Sequence, residues 1–344
     1  MSAVARTDVT VLDCTLRDGG YYTNWEFEAT LVQEYLNACA ATGVDVVELG
    51  YTQFTPSDRG PYGRFPSGVT PALRDALPDG HRLRFAVMVD ATALAEVPAS
   101  EAGPRLRSLL ADGPLPVDLV RVAVHHSRAA GVAETVDSLR GAGFGVCLNL
   151  MQVDLASPAE VADLVRLVAG LGPLESVYLA DSLGSLHAPR ITELVDQFGA
   201  GHAAPVGLHG HDNQGFALHN TLAAAQAGAT WVDSTVLGMG RGAGNARTEQ
   251  LLAALGTDQQ TLQPLLDLVA RRFEPLMHKY RWGSSALYAI AGMHRIHPTY
   301  VQRLEESLER DVEVKLRALD FLAQNRKTSF TAASLEDALR HAAV

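Results

Sequence analysis

PVGLHGHDNQGFALHNTLAAAQAGATWVDSTV, residues 205–236, reads as one strand–helix–strand unit. Its ends, Pro205–His209 and Trp231–Val236, are short apolar runs, and Ala217–Ala227 between them has amphipathic helical spacing closed by Gly228. A helix stopped by glycine between two such runs is a βαβ unit with parallel strands. The pattern repeats outward, with strands expected at Val9–Asp13, Val44–Leu49, Leu83–Val89, Asp118–Val124, Phe144–Leu150 and Ser176–Ala180. Helical stretches such as Thr30–Ala41 lie between them, and Gly43 and Gly143 are further helix stops. Eight strands alternating with helices over about 250 residues predict an α/β fold, a (β/α)8 TIM barrel. A doubly wound open sheet also alternates, but it seldom uses eight evenly spaced units.

From about residue 258 the pattern changes to helices alone, expected at Thr261–Phe273, Thr299–Arg310, Val314–Asn325 and Leu335–His341. The segment RWGSSALYAIAGMHRIHPTY (281–300) reads as a loop and helix docked on something else. The expected organisation is a barrel domain, 1–257, with an appended C-terminal helical subdomain, 258–344. No internal repeat or low-complexity linker interrupts it.

Of the 344 residues 47% are hydrophobic and 19% charged, enough for a large core and against wholesale disorder. A net charge of −11 argues against nucleic acid or an anionic membrane as partner. No apolar run approaches the roughly 18 residues of a membrane span. MSAVARTDV at the start lacks an apolar signal core, so a cytoplasmic protein is expected. Three scattered cysteines, Cys14, Cys39 and Cys147, exclude a disulfide framework. The only lysines are Lys279, Lys315 and Lys327. A Schiff-base or pyridoxal mechanism in the first 278 residues is therefore excluded, and carbonyl chemistry there needs another electron sink.

Barrel enzymes place their chemistry at the C-terminal strand ends. Those ends carry Asp13 with Arg17 and Asp18, Glu48, Asp90, His125 and His126, Asn149 with Gln152, Asp181 with Ser182, His209 with His211, and Asp233. In LHGHDN (208–213) two histidines at i and i+2 share one face of a strand and can meet at one divalent metal. Asp18, in CTLRDGG (14–20), adds a carboxylate, and GMGRGAGN (238–245) a glycine loop ending in the amide of Asn245. A dinucleotide reading of that loop fails because it closes the barrel rather than opening a βαβ unit. A phosphate cradle or a close backbone approach to metal and substrate remains for it. The expected cofactor is a divalent cation, Mn²⁺ ahead of Mg²⁺, Co²⁺ or Zn²⁺, although side chains alone do not choose.

LDCTLRDGG (12–20), GLHGHDNQG (207–215) and GMGRGAGNARTE (238–249) together resemble the DRE-TIM metallolyase superfamily, also called HMGL-like, over roughly residues 8–255. The nearest branch in this resemblance is the 4-hydroxy-2-oxovalerate, or pyruvate-type, aldolases. It implies that Asp18, His209 and His211 ligate the metal, that Asn245 ligates or lies near it, and that Arg17 stabilises an enolate oxygen. The shared chemistry is making or breaking a C–C bond through an enolate on a divalent metal, which supplies the sink that the absent lysines cannot. Glu48, Asn149 and Ser182, with Arg17, are the expected substrate contacts.

Departures from the family patterns mark the branch. Condensing synthases have Glu where Gly20 stands, hydroxymethylglutaryl-CoA lyases have a cysteine in the glycine loop, and pyruvate aldolases have a histidine base where Tyr21 stands. Tyr21, His125, Tyr288 and a metal-bound water are thus the candidates for handling the proton. HPTY (297–300) also resembles a motif in the tail of less characterised aldolase-domain proteins. The expected function is a class II aldolase acting on a 4-hydroxy-2-oxo acid, or the reverse condensation of a 2-oxo acid with an aldehyde. The alternatives are a Claisen-type condensation of an acyl-CoA with a 2-oxo acid and a non-catalytic partner of an aldehyde dehydrogenase. A homo-oligomer is expected, and the family resemblance allows an aldehyde dehydrogenase as partner.

Overall fold

The computed structural model describes residues 4–75, 77–306 and 311–343. Its strands are β1 (Thr10–Asp13), β2 (Val46–Tyr51), β3 (Arg84–Asp90), β4 (Leu119–His125), β5 (Gly145–Met151), β6 (Ser176–Asp181), β7 (Val206–Gly210) and β8 (Trp231–Ser234). Neighbours pair in parallel in chain order, and β8 pairs with β1 to close the barrel. All eight expected strands are present. The second strand is shifted by two residues from Val44–Leu49, and the last stops two residues early, where Val236 leaves the sheet for a 3₁₀ turn, Val236–Gly238.

Alternation along each strand sorts the side chains. Inside the barrel, Leu12, Val46, Ala86, Leu119, Cys147, Tyr178 and Trp231 form an apolar floor. On β7 the floor position is Gly207, where a Cβ would stand 2.8 Å from the Tyr178 ring; glycine makes the room that the ring fills. Two residues further up the same faces stand Glu48, Arg121, Asn149, His209 and Asp233, all buried. The barrel interior is therefore apolar below and ionic above, and the ionic layer lies at the C-terminal end.

Outside the barrel, the first crossover helix, Ala29–Thr42, ends at Gly43 with φ +83°, as the sequence predicts. Asp13 fastens that helix to β1: its Oδ1 accepts from the Tyr35 hydroxyl at 2.6 Å and from the Thr15 amide at 2.8 Å. Asp90 accepts from the Thr92 amide and caps the turn after β3. These two strand-end carboxylates belong to the scaffold.

The C-terminal helices are Gln259–Leu268, Glu274–Tyr280, Ala286–Met293, Pro298–Glu306, Val312–Gln324 and Ala332–Ala342, with a π turn, Val269–Phe273, after the first. Residues 307–310 of the expected helix Thr299–Arg310 lie outside the described residues. Gln259–Leu268 packs against Ala29–Thr42 and shares the barrel's main core, which extends to Trp282. Residues from Leu287 to Ala342 form a second core around Tyr288, Tyr300 and Leu319. HPTY lies within it: the Tyr300 hydroxyl donates to the Ser329 carbonyl at 3.0 Å. Among the described residues no helix is long and apolar enough to cross a membrane.

Candidate active site

The HxH pair stands at the top of β7. Each imidazole spends its Nδ1 on a fixed acceptor: His209 donates to Asp233 Oδ2 and His211 to the Asp181 carbonyl, both at 2.8 Å. This selects the tautomer with Nε2 unprotonated on each ring; His209 Nε2 then accepts from Asn245 Nδ2 at 3.3 Å, whereas His211 Nε2 has no partner. Both Nε2 atoms approach the same oxygen, Asp18 Oδ2, at 3.3 Å from His209 and 3.9 Å from His211. Asn245 joins them because its loop pairs with His211 through an isolated antiparallel bridge. Asp18 Oδ2, His211 Nε2 and Asn245 Oδ1 are buried without hydrogen-bond partners, a costly condition unless something else satisfies them.

Beneath these donors runs a closed ring of charges. Asp18 Oδ1 meets Arg17 Nη1 at 3.2 Å, and Arg17 Nε donates to Glu48 Oε2 at 2.6 Å. Glu48 Oε1 meets Arg121 Nη1 at 3.1 Å, Arg121 Nη2 donates to Asp233 Oδ2 at 2.6 Å, and Asp233 leads back to His209. Three carboxylates face two guanidiniums, so the ring is one negative charge in excess when His209 is neutral. The proton affinities follow. Burial disfavours the Asp18 carboxylate, but Arg17 and His209 outweigh it and hold the group well below its ordinary range. Burial also opposes a charged His209, yet its bonds to Asp18 and Asp233 raise it. His211 lacks such partners, and burial together with His209 lowers it to about 3.

These features fit a divalent cation: an excess negative charge, two imidazole Nε2 atoms and a carboxylate oxygen without a hydrogen-bond partner meet at one point. Cys14 Sγ also lies within 4.8 Å of donor atoms of Asp18 and His209. Burial, however, pushes that thiol well up, and its sulfur donates to the Ser234 carbonyl at 3.5 Å as part of the apolar floor. The side chains here that suit a cation are Asp18, His209 and His211, with Asn245 beside them.

Around this centre, the Tyr21 hydroxyl lies 3.2 Å from that of Tyr51, with its ring edge-on to Trp25. Tyr288 is buried against the glycine loop: Gly242 has φ +65°, and a Cβ there would meet the Tyr288 ring at 3.0 Å. Both nitrogens of His125 are bonded, to Ser127 and, at 3.1 Å, to Gln152 Oε1. Asn149 is buried with a free Oδ1, and Ser182 Oγ accepts from the Gln152 amide at 3.0 Å. The tail spans this end of the barrel: Trp282 donates to the Leu237 carbonyl, Gln152 to the Thr328 carbonyl, and Gly292 packs on Gly184.

The HMGL-like family model matches residues 119–271. A 4-hydroxy-2-oxovalerate aldolase of Burkholderia pseudomallei is 30% identical over 88% of this chain and 84% of its own length. One of Streptomyces griseus is 31% identical over 78% of each. The chain belongs to the HMGL-like aldolase family. Among solved structures, the N-terminal domain of a candidate aldolase from Bacteroides vulgatus superposes with a TM-score of 0.73 at 28% identity, covering 87% of this chain and 97% of that one. The carboxyl transferase domain of Rhizobium etli pyruvate carboxylase, at 15% identity and a TM-score of 0.70, shares the fold; it aligns with 97% of this chain and 60% of that one.

As a member of this family the chain is an enzyme, a carbon–carbon lyase. Sequence reading passed over one residue of the HMGL-like site, Arg121, although the signal was present. Leu119, Arg121 and Ala123 share one face of β4, so a lone arginine in LVRVAVH must point into the barrel. Near this aldolase site lies a second buried acid pair. Ser185 donates from its amide to Asp181 Oδ1 at 2.9 Å and from its hydroxyl to Asp154 Oδ2 at 2.6 Å. Burial and the neighbouring Asp154 push Asp181 up to about 8. Between the ordinary carboxylate range and about pH 8 the folded chain thus keeps a proton that the unfolded chain has lost, so stability falls as pH rises through that window. Asp181→Asn is expected to flatten the fall, seen as a smaller difference between urea midpoints of metal-free protein at about pH 5 and about pH 8.

Proposed function

We propose that the chain is a class II aldolase, which cleaves a 4-hydroxy-2-oxo acid to a pyruvate-type 2-oxo acid and an aldehyde or joins the two in reverse. The observation that carries this reading is the convergence of Asp18, His209 and His211 beside the Arg17 guanidinium. A divalent cation on those three residues, with Asn245 adjacent, supplies Lewis acidity to the substrate carbonyl; Mn²⁺ is the first choice. Arg17, anchored through Nε by Glu48 and through Nη1 by Asp18, keeps Nη2 for the oxygen on which enolate charge develops. Tyr21 is the proton-handling residue we favour, because Tyr288 is buried beneath Gly242 and the His125 nitrogens are already bonded. Asn149 and Ser182 contact the substrate from the β5 and β6 side.

In this reading residues 1–257 are the barrel domain and 258–344 the helical subdomain, whose first helix completes the outer ring and whose later helices cover the mouth. The protein works in the cytoplasm as a homo-oligomer on small molecules, and an aldehyde dehydrogenase that consumes the aldehyde is its proposed partner. The test is proton NMR of pyruvate in D₂O, following loss of the methyl signal with and without Mn²⁺. Metal-dependent exchange is expected, and Arg17→Ala should slow it by about 10²–10³-fold. Exchange at the methyl group of acetyl-CoA in place of pyruvate would replace the aldolase with a condensing enzyme.

A further inference from the structure

Of the arginines within or beside the site, Arg17 is matched to Asp18 and Glu48, and Arg121 to Glu48 and Asp233. Arg241 is not matched in this way. Among the described residues its guanidinium makes one hydrogen bond, from Nη2 to the Ser182 carbonyl at 3.2 Å, and pairs with no carboxylate. Its Nε is buried without a partner. The side chain starts in the loop after β8, reaches Ser182 after β6, and stands 5.7 Å from the Tyr21 ring after β1. Beyond the effect of burial, its charge also disfavours protonation of His211 and His297.

The loop that carries it is held on both sides. The Tyr22 hydroxyl donates to the Gly242 carbonyl at 2.7 Å, Gly242 lies under Tyr288, and Asn245 is bridged to His211. A held cation with unused donors is a preorganised anion site. Arg17 is buried at the level of the metal donors, whereas Arg241 is only half-buried and nearer the rim. A substrate whose 2-oxo acid end lies at Asp18, His209, His211 and Arg17 would direct its other end toward Arg241.

We propose that Arg241 is a specificity residue that binds an anionic group, carboxylate or phosphate, at the aldehyde-derived end of the substrate. This rests on the aldolase reading and adds the class of its second substrate, an aldehyde carrying a negative charge. 2-Oxoglutarate and 2-oxopentanoate share the 2-oxo acid head and differ at the far end by that charge. Calorimetric titration of the Mn²⁺-loaded protein should show 2-oxoglutarate binding about 10- to 100-fold tighter. Arg241→Gln should remove the preference and leave 2-oxopentanoate unchanged, and Arg241→Lys should keep part of it. Succinic semialdehyde and glyceraldehyde 3-phosphate, tried as acceptors with pyruvate, separate the two anion types. The KM of the preferred one should rise in Arg241→Gln, with the KM for pyruvate unmoved. No preference in the wild type, or equal weakening of both oxo acids in Arg241→Gln, overturns the inference. Normal pyruvate exchange alongside such a result leaves the aldolase reading standing, whereas absence of both exchange and binding removes the two together.

Discussion

Asp18→Asn should cost more metal affinity than the about 10- to 100-fold typical of changes to residues behind the ligands, and should bring Mn²⁺-dependent pyruvate exchange to background. Asp18 is the one anionic donor in the set, and its Oδ2 is the atom both imidazoles approach. Asparagine keeps the shape and removes the charge, so the ring beneath would no longer carry its excess negative charge. Arg17 would retain Glu48, whose 2.6 Å bond does not involve Asp18, so the fold should survive. Electron paramagnetic resonance of free Mn²⁺ during titration measures binding without reference to turnover. Unchanged binding in the variant would dismiss this site as the metal centre.

Arg121→Met should produce the largest loss of stability in the barrel, about 3–5 kcal/mol, because it leaves two buried carboxylates without their shared guanidinium. Arg121 is fully buried, with its guanidinium carbon 4.3 Å from the centre of the Tyr178 ring. Glu48 would keep Arg17 and Asp233 would keep His209, and neither remaining partner replaces the lost charge. Urea unfolding of the metal-free protein reads this as a lower midpoint. Adding Glu48→Gln and Asp233→Asn to the same chain should restore much of the loss, since the uncompensated charges are then gone. An unchanged midpoint in Arg121→Met would show that the ring does not contribute to stability.

Much of this was legible in the chain itself. The eight strands follow from apolar runs whose length and β-branching suit a buried parallel sheet, and the helix ends from glycines such as Gly43. The pairing of His209 with His211 is a property of strand geometry alone, and the metal-donor candidates are near neighbours of strand ends. Asp13 and Asp90 were legible as strand-end acids but not as scaffold acids, because their donors, Tyr35 and Thr92 among them, depend on how the turns fold.

The sequence by itself determined the barrel, the HxH pair and the need for an electron sink other than lysine, since periodicity, spacing and composition are local or additive quantities. Only the tertiary structure decided the rest. The ring from Asp18 through Arg17, Glu48, Arg121, Asp233 and His209 joins four strands and a turn, and no spacing rule connects residues 18, 121 and 233. The same holds for the free charge on Arg241 and for the tail over the mouth, because pairing, burial and desolvation depend on which distant groups closure of the barrel brings within a few ångströms.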